Sequence, residues 1–194
     1  MSFVDTYRPG SSPFSSPSSG SEARNTGVKA LSVAVVLTAS GVLGRVALQH
    51  IPSVETVLPV ALALGFYAGG KKGLVSGVSG FYATNFLVWG GQGPWTFFQC
   101  LGAGLAALSA GFIGKRNSGR LAYFFSLGVG ALIYEIVVNV GSLFFSGVGL
   151  FSTPFYLAAA VPFVLTHFAS TLGFGVSLYG FDRTLRSVYG TGKS

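Results

Sequence analysis

The stretch VKALSVAVVLTASGVLGRVAL, residues 28–48, decides the fold class of this chain. Lys29 and Arg45 are its only charged residues, and each lies close to one end. About 21 residues form a helix roughly 31 Å long at 1.5 Å per residue, which matches the hydrocarbon core of a bilayer. This stretch therefore predicts a membrane-spanning helix.

Five more apolar segments follow the first. They cover residues 56–69, 74–89, 96–113 and 121–145, and a stretch within 154–181. The second is short, and Pro162 predicts a kink or a break in the last. Before them, residues 1–26 are rich in Ser, Pro and Gly and predict a disordered tail. We therefore expect a disordered tail at 1–26, a six-helix transmembrane substrate-binding domain at 27–187 and a short C-terminal tail at 188–194.

The composition of the whole chain supports an all-α integral membrane protein. Only 9% of the 194 residues are charged and 50% are hydrophobic, whereas an ordinary soluble domain has about 25% charged residues. So few charges nearly exclude the soluble classes. The 29 glycines and several small-x-x-x-small steps, such as Ala103-x-x-x-Ala107, predict closely packed helices, more often within the fold than against a partner.

The basic residues lie almost entirely on one side of a six-span topology. Ten of the twelve fall there: Arg24, Lys29, Lys71, Lys72, Lys115, Arg116, Arg120, Arg183, Arg186 and Lys193. The other side receives only Arg45, and the twelfth basic residue, Arg8, lies far out in the N-terminal tail. By the positive-inside rule, both termini are cytoplasmic and the protein is a multi-pass protein of the cell membrane. Topology explains the net charge of +7, so we expect the lipid bilayer, and no nucleic acid, as a partner.

Polar and aromatic side chains concentrate near the opposite, outer side. The candidate substrate-binding residues are Arg45, Glu55, Asn85, Trp89, Gln92, Trp95, Gln99, Glu135 and Asn139. Glu135 is the clearest case, because a charged group inside an apolar helix is costly and suggests a function. Tryptophan rings offer a flat surface to a ring-containing ligand. The sequence thus predicts an outward pocket for a small molecule.

Most of these residues also have a structural interpretation. The tryptophans can belong to the interfacial aromatic belt, and Arg45 can pair with Glu55. Thr96 and Gln99 have capping-box spacing, and Asn139 can bond between helices. We interpret His167 as a packing residue more readily than as a ligand or proton relay, and Cys100 as an apolar packing residue. The sequence predicts no metal site and no cofactor.

Two stretches carry a resemblance to a known family. Residues 44–56 (GRVALQHIPSVET) and 91–96 (GQGPWT), with Gln99 after them, resemble outer loops of the substrate-binding (S) components of energy-coupling factor (ECF) vitamin transporters. The resemblance implies capture of a vitamin or cofactor precursor, cobalamin-like or riboflavin-like, from outside. It also implies association with a transmembrane coupling subunit and two ATPase subunits. The coupling contact of the family, an A-x-x-x-A step on helix 1, maps to Ala30 and Ala34.

Two other classes of function remain open at this point. A structural scaffold of cell-envelope machinery would use the small-residue faces and need no pocket. An intramembrane enzyme would need a catalytic pair assembled by the fold from Glu135, His167 and Asp182. We expect a transporter subunit and no enzyme, because no catalytic motif is present in the sequence.

Overall fold

The computed structural model describes residues 18–147, 149 and 151–190, and these residues form helices and connecting turns without a strand. The helices in this part of the chain are α1 (Ser18–Ala47), α2 (Val57–Ala68), α3 (Gly70–Thr84), α4 (Pro94–Arg116), α5 (Arg120–Ser146), α6 (Thr153–Tyr179) and α7 (Asp182–Tyr189). The all-helical prediction is confirmed for the described residues.

Four helices are long and apolar enough to cross a membrane. They are α4, α5, α6 and the part of α1 from Gly27 to Ala47. The remaining apolar helix, α2, has 12 residues, and α3 has 15. The lengths and compositions of the helices are those of a membrane protein, while the count of six spans stays a prediction. Helix α6 passes through Pro162 without dividing.

The helices differ from the predicted boundaries at both ends of the chain. Residues 18–26, assigned above to the disordered tail, are the first turns of α1. Once a helix has formed, each added residue gains a hydrogen bond without a new nucleation step, so a span can extend into polar sequence. At the other end, α7 reaches Tyr189 and therefore enters the predicted C-terminal tail. Residues 1–17 and 191–194 lie outside the described residues.

Helix α2 is the centre of the bundle. Every residue from Val57 to Tyr67 is buried, and α2 contacts each of the other helices named above. Its sequence VLPVALALGFYA has no charged residue, so it can be surrounded on all sides without burying an unpaired charge. A short helix suffices at this position because its surroundings are other helices.

Glycines let α2, α3 and α4 approach to backbone contact. A methyl group added at Gly65 would lie 2.4 Å from the carbonyl oxygen of Ala107, and one added at Gly111 would lie 2.3 Å from the nitrogen of Gly70. Helix α2 turns into α3 through the single residue Gly69, whose φ of 99° favours glycine. The small-residue steps of α3 and α4 therefore serve packing within the fold.

The bundle has two ends, which we name by what lies there. The cavity end holds the connections α1–α2, α3–α4 and α5–α6. The α7 end holds the connections α2–α3 and α4–α5 together with α7. This arrangement places every second connection at the same end, as in an up-and-down bundle.

Helix α7 is attached by a polar network. Arg186 Nε donates to both oxygens of Asp182 at 2.8 Å, and Tyr67 Oη donates to the same carboxylate at 2.6 Å. Arg186 also donates to the carbonyl of Ser118 at 2.6 Å. Burial alone would raise the pKa of Asp182, but the bonds from Arg186 and Tyr67 outweigh it and lower that pKa below 3.8. The network ties α7 to α2 and to the α4–α5 connection.

Candidate functional site

A cavity of about 340 Å³ opens at the cavity end, between the α1–α2 and α3–α4 connections, α5 and α6. Six of the nine predicted binding residues line it: Arg45, Glu55, Trp89, Gln99, Glu135 and Asn139. They come from α1, α4, α5 and two connections, so only the tertiary fold brings them together. The volume lies within the range of small-molecule sites, about 300–1,000 Å³.

Arg45 and Glu55 form one side of the cavity as an ion pair. Arg45 Nε lies 3.1 Å from Glu55 Oε2, and Arg45 Nη1 donates to the hydroxyl of Thr84 at 2.7 Å. Glu55 Oε1 accepts hydrogen bonds from the backbone N–H groups of Thr56 and Val57, at 2.9 and 2.7 Å. These N–H groups open α2 and have no partner within that helix, so Glu55 stabilises the start of α2. Arg45 and Glu55 therefore pair with each other, which is the structural interpretation given above for these two residues.

Glu135, Asn139 and His167 form a second polar group on the cavity wall. Glu135 Oε1 is hydrogen-bonded to His167 Nδ1, and Asn139 Nδ2 donates to Glu135 Oε2 at 3.0 Å. Glu135 and His167 are each 8% exposed. His167 Nε2 is buried and has no hydrogen-bond partner among the described residues. The imidazole packs edge-on against Tyr134, with 4.8 Å between ring centroids. The bond from Asn139 stays within α5, whereas the bond to His167 joins α5 to α6.

Three predicted binding residues lie beside the cavity without lining it. Asn85 is buried and donates to Thr96 Oγ1 and Gln99 Oε1, each at 2.8 Å. Gln92 Nε2 donates to the carbonyl of Tyr82 at 2.8 Å. Trp95 Nε1 donates to a backbone carbonyl of its own loop, and its ring is 44% exposed. Asn85 thus positions Gln99, which does line the cavity.

The predicted capping box at Thr96 and Gln99 is wrong by one turn. Helix α4 begins at Pro94, so Gly93 is the N-cap and Thr96 already lies in the first turn. Thr96 Oγ1 accepts from the backbone N–H of Gly93 at 3.3 Å, which is the role a capping box gives to its fourth residue. Proline fits the first helical position because it has no N–H to leave unpaired. Gln99 is consequently available to Asn85.

The two tryptophans of the loop have different surroundings. Trp89 lies at the rim of the cavity, and the residue is 78% exposed. Its backbone N–H donates to Gln49 Oε1 at 3.0 Å, which links the α3–α4 and α1–α2 connections. Trp95 does not line the cavity. A ligand in this cavity would therefore meet Trp89 and not Trp95.

Sequence reasoning left out several residues that line the cavity. The polar or aromatic ones are Gln49, Ser53, Tyr134 and Phe163, whereas His167 was considered above and interpreted as a packing residue. The sequence signal that favours a functional His167 is its isolation, since it is the only histidine or charged residue between Thr153 and Tyr179. No comparable local signal marks Phe163, because phenylalanine is frequent in every apolar segment of this chain.

The predicted coupling residues on α1 face different surroundings. Ala30 is 9% exposed, and its carbonyl accepts a hydrogen bond from Tyr189 of α7 at 2.9 Å. Ala34 is half-buried, and its carbonyl accepts from Thr38. Thr38 also shares a hydrogen bond of 2.7 Å with Ser76 of α3. This face of α1 therefore packs against α3 and α7 within the chain.

No group of three or more His, Cys, Asp or Glu residues that could hold a metal ion occurs in the described part of the chain. Comparison of the chain with protein-family models, with curated proteins and with solved structures returns no match.

Proposed function

We propose that this protein is the membrane-embedded substrate-capture subunit of an ATP-driven importer of the ECF type. The observation that carries the proposal is the cavity itself. It lies at one end of an apolar bundle, and six residues chosen for their polar or aromatic chemistry converge on it. Its wall combines polar residues such as Arg45 and Glu135 with apolar ones such as Val138 and Phe163, and its volume is typical of small-molecule sites.

The proposal assigns the cavity end to the outside of the cell. In it, α1 to α6 cross the membrane and both termini are cytoplasmic. Lys71, Arg116 and Arg120 lie near the α2–α3 and α4–α5 connections, at the end of the bundle opposite the cavity. This distribution supports a cytoplasmic α7 end.

The cavity volume favours the smaller of the two ligand types implied by the resemblance. About 340 Å³ is near the lower limit of small-molecule sites. A riboflavin-like ring system suits such a volume better than a cobalamin-like macrocycle, which is several times larger. We therefore propose a compact, ring-containing vitamin or cofactor precursor as the substrate.

The proposal also includes the coupling subunit and two ATPase subunits, with contact through α1. Because Tyr189 binds the carbonyl of Ala30, a partner that reaches Ala30 and Ala34 would contact the joint surface of α1 and α7. Leucine at Ala34 should then reduce uptake in cells that contain the coupling module, while ligand binding to the purified protein stays unchanged. Normal uptake by this variant would show that Ala34 does not contact the coupling subunit.

The test of capture is ligand binding to the purified protein, measured with a panel of vitamins. Trp89→Ala should weaken binding, because Trp89 lines the cavity, whereas Trp95→Ala is the matched control that removes the same side chain outside it. If the two variants bind the ligand with equal affinity, the cavity is not the binding site. Folded protein that binds no member of the panel would contradict substrate capture.

One observation favours a second candidate function, that of an intramembrane enzyme. Glu135 and His167 are in contact at the cavity wall, and a carboxylate-oriented imidazole is a common acid–base pair. Mass spectrometry of each ligand recovered after incubation separates the candidates. A chemically unchanged ligand supports a carrier, and a converted one supports an enzyme.

A further inference from the structure

Five charged or titratable side chains lie on the cavity wall: Arg45, Glu55, Tyr134, Glu135 and His167. Arg45 and Glu55 neutralise each other across 3.1 Å, and each has further partners in the protein. Neither is left with an unpaired charge for a ligand.

Glu135 is the remaining acid of the cavity wall. Its partners are the neutral amide of Asn139 and the imidazole of His167. The wall thus holds two carboxyl groups but only one guanidinium, which is already paired with Glu55. An anionic ligand would therefore find no cation that is free to pair with it, at a high cost in desolvation.

A cationic ligand, in contrast, would find a carboxyl group that can act as its counter-charge. Glu135 is buried within an apolar helix, where a carboxylate is expensive unless it is paired. Trp89 and Phe163 also line the cavity, and the faces of aromatic rings attract cations. We propose that the cavity binds a ring-containing organic cation and that Glu135 is its counter-ion. This inference rests on the proposed substrate-capture function.

The experiment measures dissociation constants of the full-length purified protein for probes that differ in charge. The cations are 1-methylnicotinamide and thiamine, the neutral probes are nicotinamide and riboflavin, and the anions are nicotinate and biotin. A cation should bind most tightly and an anion most weakly. Glu135→Gln, which keeps the shape of the side chain, should weaken binding of that cation on the order of 100-fold or more.

Asp182→Asn is the matched control, because it removes an acid from the α7 end, far from the cavity wall. It should leave the dissociation constant of the cation unchanged.

Two results would overturn the inference and leave substrate capture standing. One is tightest binding of a neutral or anionic probe, and the other is an unchanged affinity of Glu135→Gln for the cation. Folded wild-type protein that binds no probe of any charge would contradict both proposals. If Glu135→Gln fails to fold, the order of the wild-type affinities decides alone, with the three nicotinamide-type probes as the closest match in size.

Discussion

Gly111→Ala tests the close packing of α4 against the α2–α3 turn. A methyl group at position 111 would lie 2.3 Å from the nitrogen of Gly70 and 2.4 Å from its Cα. Ordinary van der Waals contacts are 3.4–4 Å, so one helix must move by about 1 Å to admit the methyl group. The neighbours are backbone atoms, which cannot rotate away as a flexible side chain would.

The expected loss follows from two opposing effects. Overpacking a close contact costs about 1–3 kcal/mol, and a clash with backbone belongs at the upper end of that range. Replacing glycine by alanine inside a helix gains about 0.5–1 kcal/mol. The net destabilisation is about 2 kcal/mol, which corresponds to a fall in Tm of roughly 4–8 °C for a chain of this size.

The matched control is Gly128→Ala, in the interior of α5. No heavy atom lies within 4 Å of a methyl group at that position, so only the gain in helix propensity applies, and Tm should rise by roughly 1–4 °C. The assay is the fraction of protein that keeps its size-exclusion peak after heating in one detergent. A Gly111→Ala protein as stable as the wild type, or as the control, would refute the packing argument.

Three further predictions concern the polar contacts. Glu55→Gln should destabilise the protein by about 1.5–3 kcal/mol, because it leaves the half-buried Arg45 without its charged partner. Thermal unfolding should show partial recovery when Arg45→Gln is added, and no recovery would mean that the pair is not coupled. The lowered pKa of Asp182 stabilises the fold above pH 3.8, and this contribution is lost as the pH falls through the folded-state value. Stability curves against pH should therefore show an acid-induced loss that Asp182→Asn lacks; parallel curves would contradict this role. Tyr189→Phe removes the 2.9 Å bond to the α1 carbonyl and should cost about 1 kcal/mol. Loss of this bond should make the backbone amides of α7 exchange faster with solvent, and unchanged exchange would argue that Tyr189 does not hold α7 against α1.

Local sequence determines the helical class of this protein and makes four of its helices long and apolar enough to cross a membrane. The length of an apolar run, its lack of charges and the glycines at its ends are properties of consecutive residues, and residues 94–116, 120–146 and 153–179 form helices where apolar segments were expected. The asymmetry of basic residues is visible in the same way, because it needs only the order of the segments.

The partners of the polar side chains were decided by the tertiary structure alone. Glu135 meets His167 and Ala30 meets Tyr189, at separations of 32 and 159 residues. Which residue faces which depends on how each helix is rotated about its axis, and that rotation is set by the packing of all helices together. For this reason the sequence marks Glu135 as unusual, whereas only the fold shows that the cavity wall has one carboxylate more than its arginine can balance.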